Sequence, residues 1–583
     1  MNSASVAALV RTPARSQDDK NRQSGHKYAA IPSSEGQTSS RQSRYSVDVP
    51  DDHHVLLGER LKQLQKRNKW RLIMTTTVAL SLVAFFYLVI MYVVALCILF
   101  YAPSGCGESR YCHQPDNRKL QLFLFWEALT FSSSRGYSTN RSCDTVESGY
   151  VCDPKISHTW GQYSPYYEVP STISTDVPKQ CQITFANMLS RHGARNPTAS
   201  KSGKYEALVA RIHTQATSYG GDYTFIKEYN YTLGADDLSV FGQKQMVNSG
   251  IKFYNRYQAL ARSITPFVRS SGSNRVVESA QNWTQGFHAT LLQDSKANAN
   301  DGYPYNIVVI SEDAGTNNTL DHGLCTGFED GSDSSISDRA QAIWVSIFTP
   351  NITARLNENL PGVNFTSTDT IYFMDLCPFN TVANDLGSIS PFCRLITEAE
   401  WKAYDYYQSL GKYYGYGWGN PLGATQGVGF TNELIARMTG SAVHDHTSTN
   451  STLDDDPTTF PVGGRTLLYA DFSHDNDMTA IFAALGLYNA TAPLLNTTYE
   501  DAQQTNGYSA AWTVPFAARA YFEKMSCVGY DEELVRVVVN DRVLPLETCG
   551  GDELGRCRLS SFVKSLSFAR EGGDWDQCFL RAS

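Results

Sequence analysis

From Leu72 to Tyr101 the chain carries no charged residue, and about 20 apolar residues suffice to cross a bilayer as a helix. A cleaved leader would begin near residue 1 and have a shorter apolar core, so this run predicts a membrane-spanning helix over 72–101. Arg60, Lys62, Lys66, Arg67, Lys69 and Arg71 crowd its N-terminal side, whereas Arg110 and Arg118 are the main basic groups on the other flank. Basic residues stay on the cytosolic side. The pattern therefore predicts a single-pass type II protein, with a cytosolic tail at 1–71 and the bulk of the chain outside the cell or in the secretory lumen. The first 50 residues are rich in Ser, Arg, Gln and Pro and have too few large apolar groups to form a core, so the tail is expected to be disordered. Residues 102–140 read as a stalk, where proteolysis would release the rest.

Beyond the stalk the pattern changes to short apolar runs followed by helical periodicity. Gln182 to Leu189 reads as a short, mostly buried strand, and Tyr205, Leu208, Val209 and Ile212 then fall at i, i+3, i+4 and i+7. Thr466 to Phe472 reads as a second strand, followed by a helix carrying Met478, Ile481, Phe482 and Leu485 on one face. A third unit puts Phe267 to Arg275 ahead of a helix with Val276, Ala280, Trp283 and Phe287 along one stripe. Strand–loop–helix units around a long helix-suited middle predict an α/β domain interrupted by an α-rich insertion. No repeat of solenoid period is present.

The loop between the first strand and helix is Arg191-His192-Gly193-Ala194-Arg195-Asn196-Pro197. It sets a histidine between two guanidiniums, whose planar forks match phosphoryl oxygens and keep their protons at working pH. An imidazole held there can attack phosphorus while the forks neutralise the equatorial oxygens. Five fixed positions at about 5% frequency each would recur by chance in roughly 2 of 10,000 such chains. The downstream strand ends in Ser473-His474-Asp475-Asn476 at the same kind of junction. Asp475, once protonated, can supply the proton that the leaving oxygen needs. Arg275, just ahead of its helix, can add a third fork; Arg269, six residues before it, reads as structural or loop-stabilising.

These pieces resemble the histidine acid phosphatases, and within them the fungal phytases of the 3-phytase type. Further blocks carry the likeness: Trp160 to Tyr166, Met374 to Phe379, Gly419 to Gly429 and Leu534 to Phe579. The likeness covers about Ser142 to Phe579. It implies a phosphoglycerate-mutase-like α/β domain over 141–583, with an α-rich insertion within about 200–440. It also implies His192 as nucleophile, Arg191, Arg195, Arg275 and His474 as phosphate ligands, and Asp475 as proton donor. Gln162, Tyr163, Lys201 and Lys412 match substrate-binding positions of similar phytases, while Gly411 stands where some of them carry a second lysine.

Of thirteen cysteines, Cys97 lies in the apolar run and the other twelve lie beyond it, which suggests a disulfide framework in an oxidising compartment. The resemblance implies the pairs Cys143–Cys152, Cys181–Cys527, Cys325–Cys578, Cys377–Cys393 and Cys549–Cys557, leaving Cys106 and Cys112 for each other. The sequons headed by Asn140, Asn230, Asn282, Asn317, Asn351, Asn364, Asn450, Asn489 and Asn496 all follow the apolar run. A net charge of −9 argues against a nucleic-acid partner. No cofactor or metal is expected, because the forks themselves neutralise phosphate and no P-loop or clustered-Asp metal motif occurs.

The expected activity is acid hydrolysis of a phosphomonoester, phytate above others, by a bilayer-anchored enzyme. A broad-specificity acid phosphatase is the alternative, favoured by Gly411. A silent binding protein would have had no need to keep His192, three forks and Asp475. An intracellular phosphomutase would have no need of the sequons.

Overall fold

The computed structural model describes Tyr150 and residues 152–298, 302–383 and 388–579. The predicted tail, span and stalk, with Cys97, Cys106, Cys112 and Cys143, lie outside the described residues. Among the described residues no helix is long and apolar enough to cross a membrane.

In chain order the main elements are β1 (Cys181–Arg191), α1 (Ala199–Gln215), α2 (Val240–Arg256), β2 (Phe267–Ser271), α3 (Asn274–Gln293) and β3 (Ile307–Ile310). A helical stretch follows: α4 (Ile336–Phe348), α5 (Pro350–Asn359), α6 (Ser367–Ala383), α7 (Glu398–Tyr416) and α8 (Val428–Thr439). It leads into β4 (Leu468–Ser473) and α9 (Asp475–Ala484), and the antiparallel strands β5 (Arg519–Cys527), β6 (Leu534–Val539), β7 (Arg542–Val543) and β8 (Arg556–Arg558) complete the sheet. The strand order is β3-β2-β4-β1-β5-β6-β7, with β8 also paired to β6. β3, β2, β4 and β1 run parallel, and the rest are antiparallel.

Both faces of the sheet are covered, so successive strand residues serve different cores. Ala186 and Met188 of β1, with Val268, Ala470 and Phe472, pack under Met246, Phe253, Trp283 and Phe287 of α2 and α3. Phe185 and Leu189, with Tyr469 and Phe522, pack under Phe430, Leu434, Met478, Ile481 and Phe482 of α8 and α9. A separate core joins Tyr205, Leu208 and Ile212 of α1 to Ile352, Leu356, Phe373 and Leu376 of α5 and α6. β2 and β3 thus fall inside the 200–440 stretch expected as a helical insertion, and the helices on either side of them split into two groups. β2 is five residues long and buried along nearly all of its length, so no alternation marks it between the helical segments.

A buried ionic lattice ties the parallel strands to α8. Arg269 donates to both oxygens of Glu433 at 2.9 and 2.6 Å and to Asp471 at 2.8 Å. Arg437 donates to Asp471 at 2.6 Å and to Asn187 at 2.8 Å. Burial works against the Asp471 carboxylate, yet Arg437 and Arg269 hold it below the usual range. Removing one member of such a set strands a buried charge, at a cost of about 3–5 kcal/mol, which accounts for Arg269 as a structural residue.

Disulfides Cys181–Cys527, Cys325–Cys578, Cys377–Cys393 and Cys549–Cys557 staple the domain, and Cys152 is disulfide-bonded too. The first joins the start of β1 to the end of β5.

Candidate active site

β1 and β4 stop in register, with Arg191 opposite Ser473. His192 and His474 therefore leave the sheet side by side at its carboxyl edge, where open α/β sheets bind ligands. The His192 amide donates to the Ser473 carbonyl at 3.1 Å, and the two imidazole rings lie 5.6 Å apart at 71°. The loop after His192 lies flat on α2. A Cβ on Gly193 would stand 2.4 Å from the Gly242 carbonyl oxygen, and one on Gly242 2.0 Å from that of Ala194. The Gly193 amide donates to Ser279 Oγ at 3.1 Å and the Ala194 amide to Gln245 Oε1 at 2.9 Å. Backbone packing, not flexibility, sets the loop.

His192 Nδ1 lies 2.8 Å from the carbonyl oxygen of Gly193. A carbonyl only accepts, so Nδ1 carries the proton and the lone pair of Nε2 is free. Burial, then the charges of Arg191 and Arg195, hold this imidazole well below the ordinary histidine range. The neutral ring is thereby favoured.

Arg191 is fully buried, its guanidinium 4.5 Å over the Phe516 ring. Nη1 donates to the carbonyls of Val514 (2.9 Å) and Gln162, and Nη2 lies 3.4 Å from Asp475 Oδ1. Burial brings Arg191 down to about 10, against the pull of Asp475, so it remains a cation at any acid or neutral pH. Arg191 Nε and Nη2, Arg195 Nε and Arg275 Nε are buried without hydrogen-bond partners. Buried unpaired donors are costly, and a tetrahedral oxyanion would satisfy them together.

His474 is fixed from both sides. Its Nε2 is 2.9 Å from Glu312 Oε1, and its Nδ1 is 3.5 Å from Arg275 Nη2. Burial opposes the Glu312 carboxylate, but His474, Ser271 Oγ (2.6 Å) and the Ser273 amide (2.9 Å) bring it down to about 2. Glu312, Asp321 and His474 place ligand atoms within 4.8 Å of one another, close enough for a small cation. Here Glu312 turns Oε1 to His474 and the two serines.

Asp475 opens α9. Its Oδ2 lies 2.5 Å from Lys412 Nζ, which reaches from α7 and also donates to Asn476 Oδ1 at 2.5 Å. Burial resists ionisation, but Arg191 and Lys412 hold the Asp475 carboxyl well below the usual range. Burial in turn lowers the Lys412 ammonium, only partly offset by Asp475. These cations hold Asp475 as a carboxylate, so a role as acid requires that this charge balance change on binding.

The remaining positions line the approach. Lys201 Nζ sits 3.3 Å from Asp375 Oδ2 and 5.9 Å over the Tyr163 ring. Asp375 also accepts from Tyr205 at 2.5 Å and from Tyr404. Burial works against the Lys201 charge, but Asp375 and Tyr163 raise it above the ordinary lysine range. The Gln162 side chain is turned to Gln408 Oε1 at 2.8 Å, and only its carbonyl touches Arg191. The structure thus gathers Arg191, His192, Arg195, Arg275, Lys412, His474 and Asp475 into one electrostatic unit. Lys201 and Tyr163 form a rim beside it. Sequence reasoning missed Glu312 and Phe516, which lie outside the quoted motifs, and gave Asp375, inside the Met374–Phe379 block, no role.

Residues 182–540 match the histidine phosphatase superfamily (branch 2). The chain belongs to that superfamily. It is 54% identical over 452 residues to Phytase A of Aspergillus fumigatus, covering 77% of this chain and 96% of that protein. It is 53% identical over 461 residues to Phytase A of Penicillium oxalicum, covering 78% and 99%. The crystal structure of the D. castellii phytase shares the fold, with a TM-score of 0.59 at 23% identity over 73% of this chain and 88% of that one. This family member is an enzyme of the phosphatase and phytase kind.

Proposed function

We propose that the chain hydrolyses phytate to release inorganic phosphate through a phosphohistidine on His192. The observation that carries this is the tautomer: with Nδ1–H given to Gly193, the Nε2 lone pair is free on a ring that feels the charges of Arg191, Arg195 and Arg275. Nε2 forms a bond to phosphorus while the P–O bond to the alcohol breaks, and Arg191, Arg195, Arg275 and His474 hold the equatorial oxygens. The electron pair of the broken bond goes to the leaving oxygen, which takes the proton of Asp475. Water then attacks phosphorus: its oxygen bonds to P as the N–P bond breaks and returns its electron pair to Nε2, and Asp475 takes the proton that the water loses. A bound phosphate draws Arg191 to itself and sets negative charge beside Asp475, which raises the proton affinity of that carboxyl. Ligand binding thereby prepares the acid.

Phytate is preferred to a simple ester because its further phosphates need cations outside the central unit. Lys201 on the rim supplies one, and relatives at 54% identity carry the name Phytase A. The deciding test is phosphate release by the purified ectodomain from phytate and from an aryl phosphate across pH. A higher kcat/KM on phytate at acid pH supports the reading. A preference for the aryl ester would instead favour a broad acid phosphatase, the reading that Gly411 suits.

The same reading places the catalytic domain, 141–583, outside the cytosol behind a bilayer anchor at 72–101. The disulfides of the described domain fit an oxidising compartment, and Asn230, Asn351, Asn364 and Asn489 are exposed. Protease added to sealed cells or vesicles of outside-out orientation is expected to digest the catalytic domain and spare the tail before Leu72. Glycosidase should lower its apparent mass. A protected C-terminus on an unglycosylated chain would overturn the orientation.

A further inference from the structure

Three donors converge on a single oxygen of Glu312. Ser271 Oγ at 2.6 Å, the Ser273 amide at 2.9 Å and His474 Nε2 at 2.9 Å all reach Oε1. The two serines bracket the turn from β2 into α3, the helix that carries Arg275. Glu312 follows β3 by two residues. One carboxylate thus connects the segments that present Arg275 and His474, and it lies outside the motifs that define the site.

His474 Nδ1 is the nitrogen turned towards Arg275, 3.5 Å from Nη2. That contact uses its lone pair, since a guanidinium has only donors. To hold a phosphate oxygen, Nδ1 must carry a proton as well as Nε2, so the ring must become an imidazolium. We propose that Glu312 is a positioning residue that supplies the counter-charge for this imidazolium, making phosphate capture by His474 dependent on the carboxylate. The proposal rests on the phosphate-binding reading of the site and names what sustains it.

Other charged groups facing His474 do not replace it. His192 and Arg275 are neutral and cationic neighbours respectively, and Asp475 is engaged with Arg191 and Lys412. Asp321 and Asp477 also face the ring, but burial raises both, Asp477 to about 6. They share their charge with His322, which they and Glu329 raise to about 9 against burial. As pH falls through the acid range those two carboxylates fade, whereas Glu312 remains ionised.

Because all three bonds end on one oxygen, Glu312→Gln can keep every one of them through its amide oxygen while losing the charge. In the full ectodomain, at a pH one to two units below neutrality, E312Q is expected to raise the inhibition constant for inorganic phosphate and the KM for an aryl phosphate about tenfold, the weight of one pH unit of charge stabilisation. kcat at low pH should change less than about threefold, and the alkaline limb of phosphate inhibition should move down by about one pH unit. Glu312→Asp, which keeps the charge, should retain the wild-type limb even if affinity drops, and it serves as the arm if the glutamine variant does not fold. Wild-type phosphate inhibition combined with an unchanged E312Q profile, or an E312D limb displaced from wild type, overturns the role of Glu312 alone. A wild-type enzyme indifferent to phosphate overturns the phosphate reading together with it.

Discussion

Replacing His192 with alanine should remove turnover by roughly four to six orders of magnitude, the loss seen when a covalent catalyst loses its nucleophile. The effect should fall on kcat with little change in phosphate affinity, because Arg191, Arg195 and Arg275 remain to bind the anion. The wild type should also yield a phosphoenzyme, stable to alkali and labile to acid, when quenched during turnover of labelled substrate. His474, although its ring is only 5.6 Å away, should not carry the label: its Nε2 is held by Glu312 and its Nδ1 faces Arg275. An alanine variant that kept wild-type turnover, or a label on His474, would remove His192 from the centre of the mechanism.

Much of this arrangement is legible in the chain itself. The Arg191–Pro197 motif sits between an apolar run and a helical stripe, and these became β1 and α1 with Tyr205, Leu208, Val209 and Ile212 buried as the spacing requires. His474-Asp475 follows β4 for the same reason. What the pattern could not convey is the neighbourhood of each strand. β5 reads Arg519-Ala520-Tyr521-Phe522-Glu523, and its two faces enter different cores, so no polar–apolar alternation survives to mark it. Glu523 breaks the apolar run only because Arg256, Tyr257 and Arg536 meet it inside. Glu312 and Phe516 reach their active-site partners His474 and Arg191 across 162 and more residues. Nothing near them in sequence encodes those contacts. The resemblance puts the α-rich insertion within about 200–440, and β2 and β3 inside that range are strands of four or five residues that join the sheet only through the pairing of β2 with β4.

Asp475→Asn should separate substrates by their leaving groups. An aryl phosphate releases a stabilised phenolate and needs little protonation, whereas phytate releases an alkoxide that cannot depart without a proton. General acid catalysis contributes about 10²–10⁴-fold, so phytate turnover should fall by that factor and aryl phosphate turnover by less than about tenfold. The pH profile gives a second test with a defined sign. Arg191 and Lys412 depress Asp475 in the free enzyme, so the acid form is scarce until pH is low. Bound phosphate reverses the local charge, and the alkaline limb of kcat should lie at higher pH than that of kcat/KM, since the first reports the complex and the second the free enzyme. His192, held below its ordinary range by burial and the arginines, keeps its lone pair throughout, so activity should peak on the acid side of neutrality. In the asparagine variant the alkaline limb on phytate should flatten, because the group that titrates is gone. Equal losses on both esters with an intact limb would mean that the leaving oxygen takes its proton from another donor, and that the Lys412–Asp475 pair serves binding instead.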